Sequence, residues 1–305
     1  MKDFLRNTWK HRAHVIMALP VFLVLLFIMY VPMAGLSLAF KSYDVQKGLF
    51  GSPWCRLDNF KFLVASKTMF KTITLNTVKY YFIFTAIGTV LNVALAIAID
   101  QFIVKKMSRV MQTIMIIPVF ISYAAVTFIV DAFLDTSTGF LAKSLGSTTN
   151  FYNAASAHWW VLILIIVKIW KDTGYGSVLY MSVLAGIDAE LYEAADIDGA
   201  GKWRKIWHIT IPSLIPMITV MLLLSVGNIM RGDTGLFYQV TRHVGTLFNY
   251  TEVIDSYVLY SIRTAGISSY GFTAATSLFQ SCVGLLMMLL ANWTVRKIQP
   301  ENALF

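Results

Sequence analysis

Apolar residues along this 305-residue chain fall into long unbroken runs, without the alternation of a half-buried strand or the one-sided spacing of a soluble helix. A helix needs about 20 largely apolar residues to cross a hydrocarbon layer roughly 30 Å thick. Five runs meet that need with no Asp, Glu, Lys or Arg: Val15–Phe40, Tyr80–Ile99, Val110–Val130, Ile209–Met230 and Phe272–Val295. A sixth, Trp159–Ile187, has the length but carries Lys168, Lys171 and Asp172 near its middle. The pattern predicts an all-α membrane protein with six transmembrane helices, spans at about 15–40, 80–99, 110–130, 159–187, 209–230 and 272–295, forming a single domain over 1–305. The first run is too long for a signal-peptide core and reads as a retained anchor.

Charge orients the spans. Lys2, Arg6, Lys10 and Arg12 precede the first run; Lys105, Lys106 and Arg109 lie between the second and third; Lys202, Arg204 and Lys205 precede the fifth; Arg296 and Lys297 follow the last. These alternate connections are about twice as dense in Lys and Arg as the others, which places them and both termini on the cytoplasmic side. The connection 41–79 runs against the bias, and Asn59–Phe70 within it reads as a short interfacial amphipathic helix whose lysines snorkel.

Composition agrees: 57% of residues are hydrophobic and 13% charged, against about 25% charged in soluble domains. The net charge of +9 is a topology signal, because the runs leave no room for a basic nucleic-acid-binding domain. Cys55 and Cys282 lie in unlike contexts and do not suggest a disulfide.

The connection between the fourth and fifth spans, 188–208, is the polar exception in this apolar chain, and Glu193–Pro212 within it reads EAADIDGAGKWRKIWHITIP. Its spacing, Glu193-Ala194-Ala195, Asp198-Gly199, then Ile209-x-Ile211-Pro212, resembles the EAA signature of permeases in binding-protein-dependent ABC importers, with Ile211 where leucine is usual. The strings FKSYD (Phe40–Asp44), SPW and LDNF (Ser52–Phe60), GDTGLFYQ (Gly232–Gln239), VIDSYV (Val253–Val258) and the ending ANWTVRKIQPENALF resemble the maltose-permease-like branch serving oligosaccharides and polysaccharide fragments. The resemblance implies the type I importer permease fold in a bacterial plasma membrane. It implies a cytoplasmic coupling helix, built on Glu193, Ala194, Ala195, Asp198, Gly199, Ile209 and Pro212, that docks in a cleft of the ATPase. The implied partners are a second related permease, two ATP-binding cassette subunits, an extracytoplasmic sugar-binding lipoprotein and the oligosaccharide itself. The chain would carry no cofactor, ATP and magnesium residing on the partner ATPase.

Residue chemistry adds a candidate path. Lys168 and Asp172, four apart, share a helix face and can neutralise each other. The glycines of Thr173-Gly174-Tyr175-Gly176 loosen the helix, so that WKDTGYG, with Trp170, Lys171, Asp172 and Tyr175, lines the path. Ser225 and Asn228, one turn apart in the fifth span, offer the hydroxyl and amide a sugar requires. The resemblance puts Tyr175 and Ser225 at sugar-contact positions, and it expects asparagine where this chain has Ile229, with Asn228 adjacent. Ile197 and Trp203 are expected apolar anchors for docking, and Asn92 and Asn292 interhelical links. Pro212 and Pro216 open the fifth span, as plain helix starters or as a bend.

There is no G-x-x-x-x-G-K-[ST] stretch for nucleotide phosphates, and the five histidines form no HExxH, so no metal site is expected. The rival reading, a membrane-embedded enzyme acting on a polysaccharide or lipid-linked substrate, needs convergent carboxylates that the sequence does not bring together; a secondary transporter needs internal symmetry. In a background lacking Cys55 and Cys282, Gly245→Cys should react with an impermeant thiol reagent added outside the cell and Asp198→Cys should not. Strong outside labelling at position 198 reverses the assigned orientation.

Overall fold

The computed structural model describes residues 11–61, 67–101, 105–145 and 149–304. Lys2, Arg6 and Lys10, and the middle of the expected interfacial helix, lie outside the described residues. The principal helices are α1 (Arg12–Phe40), α2 (Lys67–Asp100), α3 (Lys105–Phe120), α4 (Tyr123–Leu134), α5 (Trp159–Leu184), α6 (Ala189–Ile197), α7 (Lys202–Val226), α8 (Ile254–Ala265) and α9 (Tyr270–Ile298). Among the described residues four helical stretches are long and apolar enough to cross a membrane, and the bent pair α3–α4 makes a fifth. At 26 residues α5 has the length, with its three charges. Six spans are compatible with this set.

The chain divides into two compact units. The smaller holds α1, the segment that follows it and Ser261–Phe279. Within it Asn59 Nδ2 lies 2.9–3.1 Å from the carbonyl oxygens of Leu38, Ala39 and Lys41, and Lys41 Nζ donates to Leu49 O and Phe50 O. The strings FKSYD, SPW and LDNF are therefore one packed corner, where the Asn59 amide meets the carbonyls left open as α1 ends and the Lys41 ammonium meets those of the turn Gly48–Gly51. Gly271 lies against the Asn59 amide, where a Cβ would overlap it.

In the larger unit α2 and α5 pack along their lengths. One apolar core gathers Tyr80, Val126, Trp160, Leu164, Phe237 and Leu247, and a smaller one Ala96, Tyr180, Leu184 and Leu214. Trp160, fully buried, donates its Nε1–H to Phe151 O at 2.8 Å, so its polar edge is satisfied.

Two expectations change here. The run Val110–Val130 is not one straight span: it bends by 97° between Phe120 and Tyr123. Pro118 weakens the ladder, and Ser122 starts α4 by accepting from Ala125 N–H at 3.2 Å. The glycines of α5, expected to loosen it, leave it unbroken from Trp159 to Leu184. They serve contact instead. A Cβ on Gly174 would sit 1.8 Å from Met115 O, and one on Gly176 2.3 Å from the Asn92 amide. Small residues let helices approach backbone to backbone, where dispersion and weak polar contacts hold them in lipid. Gly284 meets Gly227 O in the same way. Asn292 Oδ1 accepts from Leu304 N–H at 2.8 Å and holds the C-terminal tail.

Gly174→Ala should therefore destabilise the protein by about 1–3 kcal/mol through overpacking. Gly88→Ala, where nothing lies within 4 Å of the added Cβ, should be neutral or stabilising by up to about 1 kcal/mol. Thermal unfolding of the two variants in detergent reads the difference, and equal behaviour contradicts the close α3–α5 contact.

Candidate functional site: a capped coupling segment and a polar path

The polar connection forms its own short helix. Asp188 begins α6 by accepting from Glu190 N–H at 3.0 Å. At the other end Gly199 takes φ +71°, Gly199 N–H donates to Asp196 O, and Ala200 N–H reaches back to Ala195 O at 2.8 Å. This is the paired-bond termination that glycine permits, and a side chain at 199 would be strained in it. Tyr192 Oη bonds Thr210 Oγ1 at 2.9 Å and Lys205 Nζ reaches Asp196 Oδ1 at 2.7 Å, so α6 is fastened to the start of α7. That helix begins at Lys202, two turns before the expected span, and runs through Pro212 and Pro216. Both are thus interior, and a widened turn, Ile206–Thr210, precedes Pro212, which has no N–H to contribute.

The outward face of this segment is bare. Ile197 is 88% exposed and Trp203 74%, and Glu193, Ala194 and Asp198 are also exposed. Ala195 and Ile209 are half-buried and Pro212 is exposed.

The second constellation lies along α5. Lys168 Nζ is 2.8 Å from Asp172 Oδ2, the expected pair, and also 2.8 Å from Asp233 Oδ2. Tyr123 donates to the same Asp233 oxygen at 2.5 Å, and Leu236 N–H donates to Oδ1. The Lys168 ammonium and these two donors together answer the Asp233 carboxylate. Ser225 bonds Tyr81 Oη at 2.9 Å and lines two adjoining cavities with Lys168. Asn228 lines the larger of these and Asp172 the smaller. Tyr175 is 59% exposed, on the helical stripe that Lys168 and Asp172 begin.

Two candidates stand apart. Trp170 lines an apolar groove with Ile129, Phe133 and Ile166, because two residues from Lys168 it faces the other way. Lys171 is buried at 6% exposure, and its Nζ meets the carbonyl oxygens of Pro118, Val119 and Ile121, with the Tyr123 ring 4.9 Å away. It completes the C-terminus of α3, where a cation is favoured. Asp233, Tyr123 and Tyr81 went unread in the sequence. Asp233 sits in the string GDTGLFYQ, the one signal that could have found it. Elsewhere the half-buried His243 and the buried Glu252 pair at 3.1 Å, and among the described residues no three His, Cys, Asp or Glu side chains group as metal ligands.

Long apolar helices, two polar cavities and a bare, capped polar segment are features that a membrane transport permease would present. The chain belongs to the family of binding-protein-dependent transport system inner membrane components, which matches residues 88–300. It is 30% identical over 303 residues to Protein LplB of Bacillus subtilis (strain 168), covering 97% of this chain and 91% of that protein. It is 30% identical over 298 residues to the polygalacturonan/rhamnogalacturonan transport system permease protein YteP of the same organism, covering 94% and 88%. Its fold is similar to a chain of a bacterial ABC transporter involved in the import of the acidic polysaccharide alginate, with a TM-score of 0.84 at 29% identity, covering 97% of this chain and 99% of that one. The protein is accordingly a membrane permease of a binding-protein-dependent ABC importer and not an enzyme; the membrane-enzyme alternative finds no support.

Lys171→Met should cost about 2–3 kcal/mol or more, since it leaves buried carbonyls without their charged donor. The loss should appear in the unfolding temperature of the detergent-solubilised protein; an unchanged temperature means the contact at the α3–α4 bend is dispensable.

Proposed function

We propose that this chain is one of two related permease subunits of an ATP-driven importer that takes up an oligosaccharide handed over by an extracytoplasmic binding protein. The reading treats 1–305 as one six-span domain with both termini and 188–208 in the cytoplasm. The observation that carries it is the capped α6: Ile197 and Trp203 are held out from a fastened segment with nothing in the described chain to cover them. Such a face suits a cleft on an ATPase subunit. Glu193, Ala194, Ala195, Asp198 and Gly199 form the docking element, and Ile209 and Pro212 join it to α7.

The cargo class rests on two supports. Relatives include permeases for polygalacturonan/rhamnogalacturonan and for alginate, and a further solved structure holds the alginate transporter with an alginate pentasaccharide-bound periplasmic protein. The cavities offer hydroxyls, amides and aromatic rings, from Ser225, Asn228, Tyr81 and Phe84, with Asp172 as an acceptor and Tyr175 on the continuing stripe. Those groups suit a sugar's hydroxyls and C–H faces. ATP and magnesium act on the ATPases, whose closure moves α6. Lys171 and Trp170 border the path without lining it.

An affinity-tagged chain should copurify with an ATPase subunit and a second permease, and Gly199→Asp should keep the second permease while losing the ATPases or their binding-protein-stimulated turnover by about tenfold or more. Two exposed carboxylates, Asp196 and Asp198, already flank that turn. Normal ATPase retention with normal stimulated turnover in this variant means that 188–208 is an ordinary loop.

A further inference from the structure

Two cavities meet at one side chain. The smaller, about 210 Å³, is lined by Asn92, Asp172, Thr173, Tyr180 and Met221 and extends toward the α6 end of α5. The larger, about 340 Å³, is lined by Thr77, Asn228, Arg231, Asp233 and Val253 and extends the opposite way. Lys168, with Phe84, Thr85 and Ser225, lines both. Its ammonium touches a carboxylate on each side, Asp172 in the smaller cavity and Asp233 in the larger.

We propose that Lys168 is the movable bar of a charge gate between the two cavities, shared by Asp172 and Asp233 when the path is shut and retained by Asp172 alone when it opens on the Asp233 side. The inference rests on the permease assignment and is independent of the cargo. A charge stranded at membrane depth is strongly disfavoured, so a workable gate must leave neither half unpaired. This one meets that condition. Asp172 rides on the same helix as Lys168, four residues on, and stays beside it however other elements move. Asp233 carries its own donors, the Tyr123 hydroxyl at 2.5 Å and Leu236 N–H at 3.2 Å, and keeps them after separation. Gly235 lets the Tyr123 ring lie against this segment, since a Cβ there would come within 2.1 Å of the ring. Lys171, three residues away, shows the contrasting fixed arrangement: it is buried, and its partners are backbone carbonyls of one bend, with no second acceptor across a cavity.

The test uses the assembled importer in cells, with Cys55 and Cys282 replaced by serine and Met221→Cys as reporter in the smaller cavity. Asn228→Cys, in the larger cavity, fixes the side from which a charged, membrane-impermeant methanethiosulfonate enters. Asp233→Asn should raise the labelling rate at position 221 from that side several-fold. Asp172→Asn, which leaves Lys168 only the distant carboxylate, should lower uptake several-fold without raising that rate. Tyr123→Phe keeps every charge, and by removing the hydroxyl that shares the Asp233 oxygen with Lys168 it should also slow uptake. A folded Asp233→Asn with unchanged labelling overturns the gate, and so does parental uptake by either of the other two variants. Lys168 would then be a static strut. Absence of energy-dependent uptake in the parent would instead undermine the permease assignment.

Discussion

An ammonium group has no place in hydrocarbon unless something answers its charge, and two lysines in α5 show two answers. Lys171 is met by three carbonyls that α3 leaves open where it ends at a near right angle. The bend and the lysine need each other. Without the bend there are no free carbonyls, and without the ammonium the bend exposes backbone acceptors that lipid cannot satisfy. Lys168 is met by carboxylates, and the elements that bring them, α5 itself and the segment after α7, line the two polar cavities. The closeness of α3 to α5 follows from the same place, because Gly174 removes the side chain that would keep Met115 away.

The spans were legible because hydropathy is a local property of the chain. The runs at 15–40, 80–99 and 272–295 fall inside long helices of the structure, and 209–230 does so as far as Val226, where α7 ends. What escaped was long-range. The bend at Ile121–Ser122 lies in an unbroken apolar run, and Pro118 was its one visible sign, while the lysine that completes it comes fifty residues later. The mid-span glycines were read by their freedom when their smallness mattered, since sequence shows no neighbouring helix.

The site divides along the same line. Lys168–Asp172 was readable, being an i,i+4 pair on one helix, whereas Asp233 is 65 residues away and joins only through the fold. Trp170 was grouped with the path by adjacency, and helical periodicity alone would have turned it away from Lys168. In the segment 188–208 the short helix and the turn at Gly199 were readable, whereas the Asp188 cap and the Tyr192–Thr210 and Lys205–Asp196 contacts were not. The helix ends at Asp188 and Gly199 are satisfied by residues a few positions away, so local spacing contains their geometry.

Helix α7 joins the segment 188–208 to the cavities that Ser225 lines, and its two halves differ in stiffness. The widened turn at Ile206–Thr210, Pro212 and Pro216 interrupt the backbone ladder in the half beside α6, while Met217–Val226 carries no such interruption. A rod that is compliant at its driven end absorbs tilt and passes on displacement along its axis. On the proposed function, motion imposed at α6 reaches Ser225 as a stroke, not as a swing. The Tyr81–Ser225 contact at 2.9 Å ceases to be a hydrogen bond once it lengthens by roughly 0.6 Å. A stroke shorter than one residue's rise along a helix, about 1.5 Å, would then be enough to reset the polar lining of the cavities.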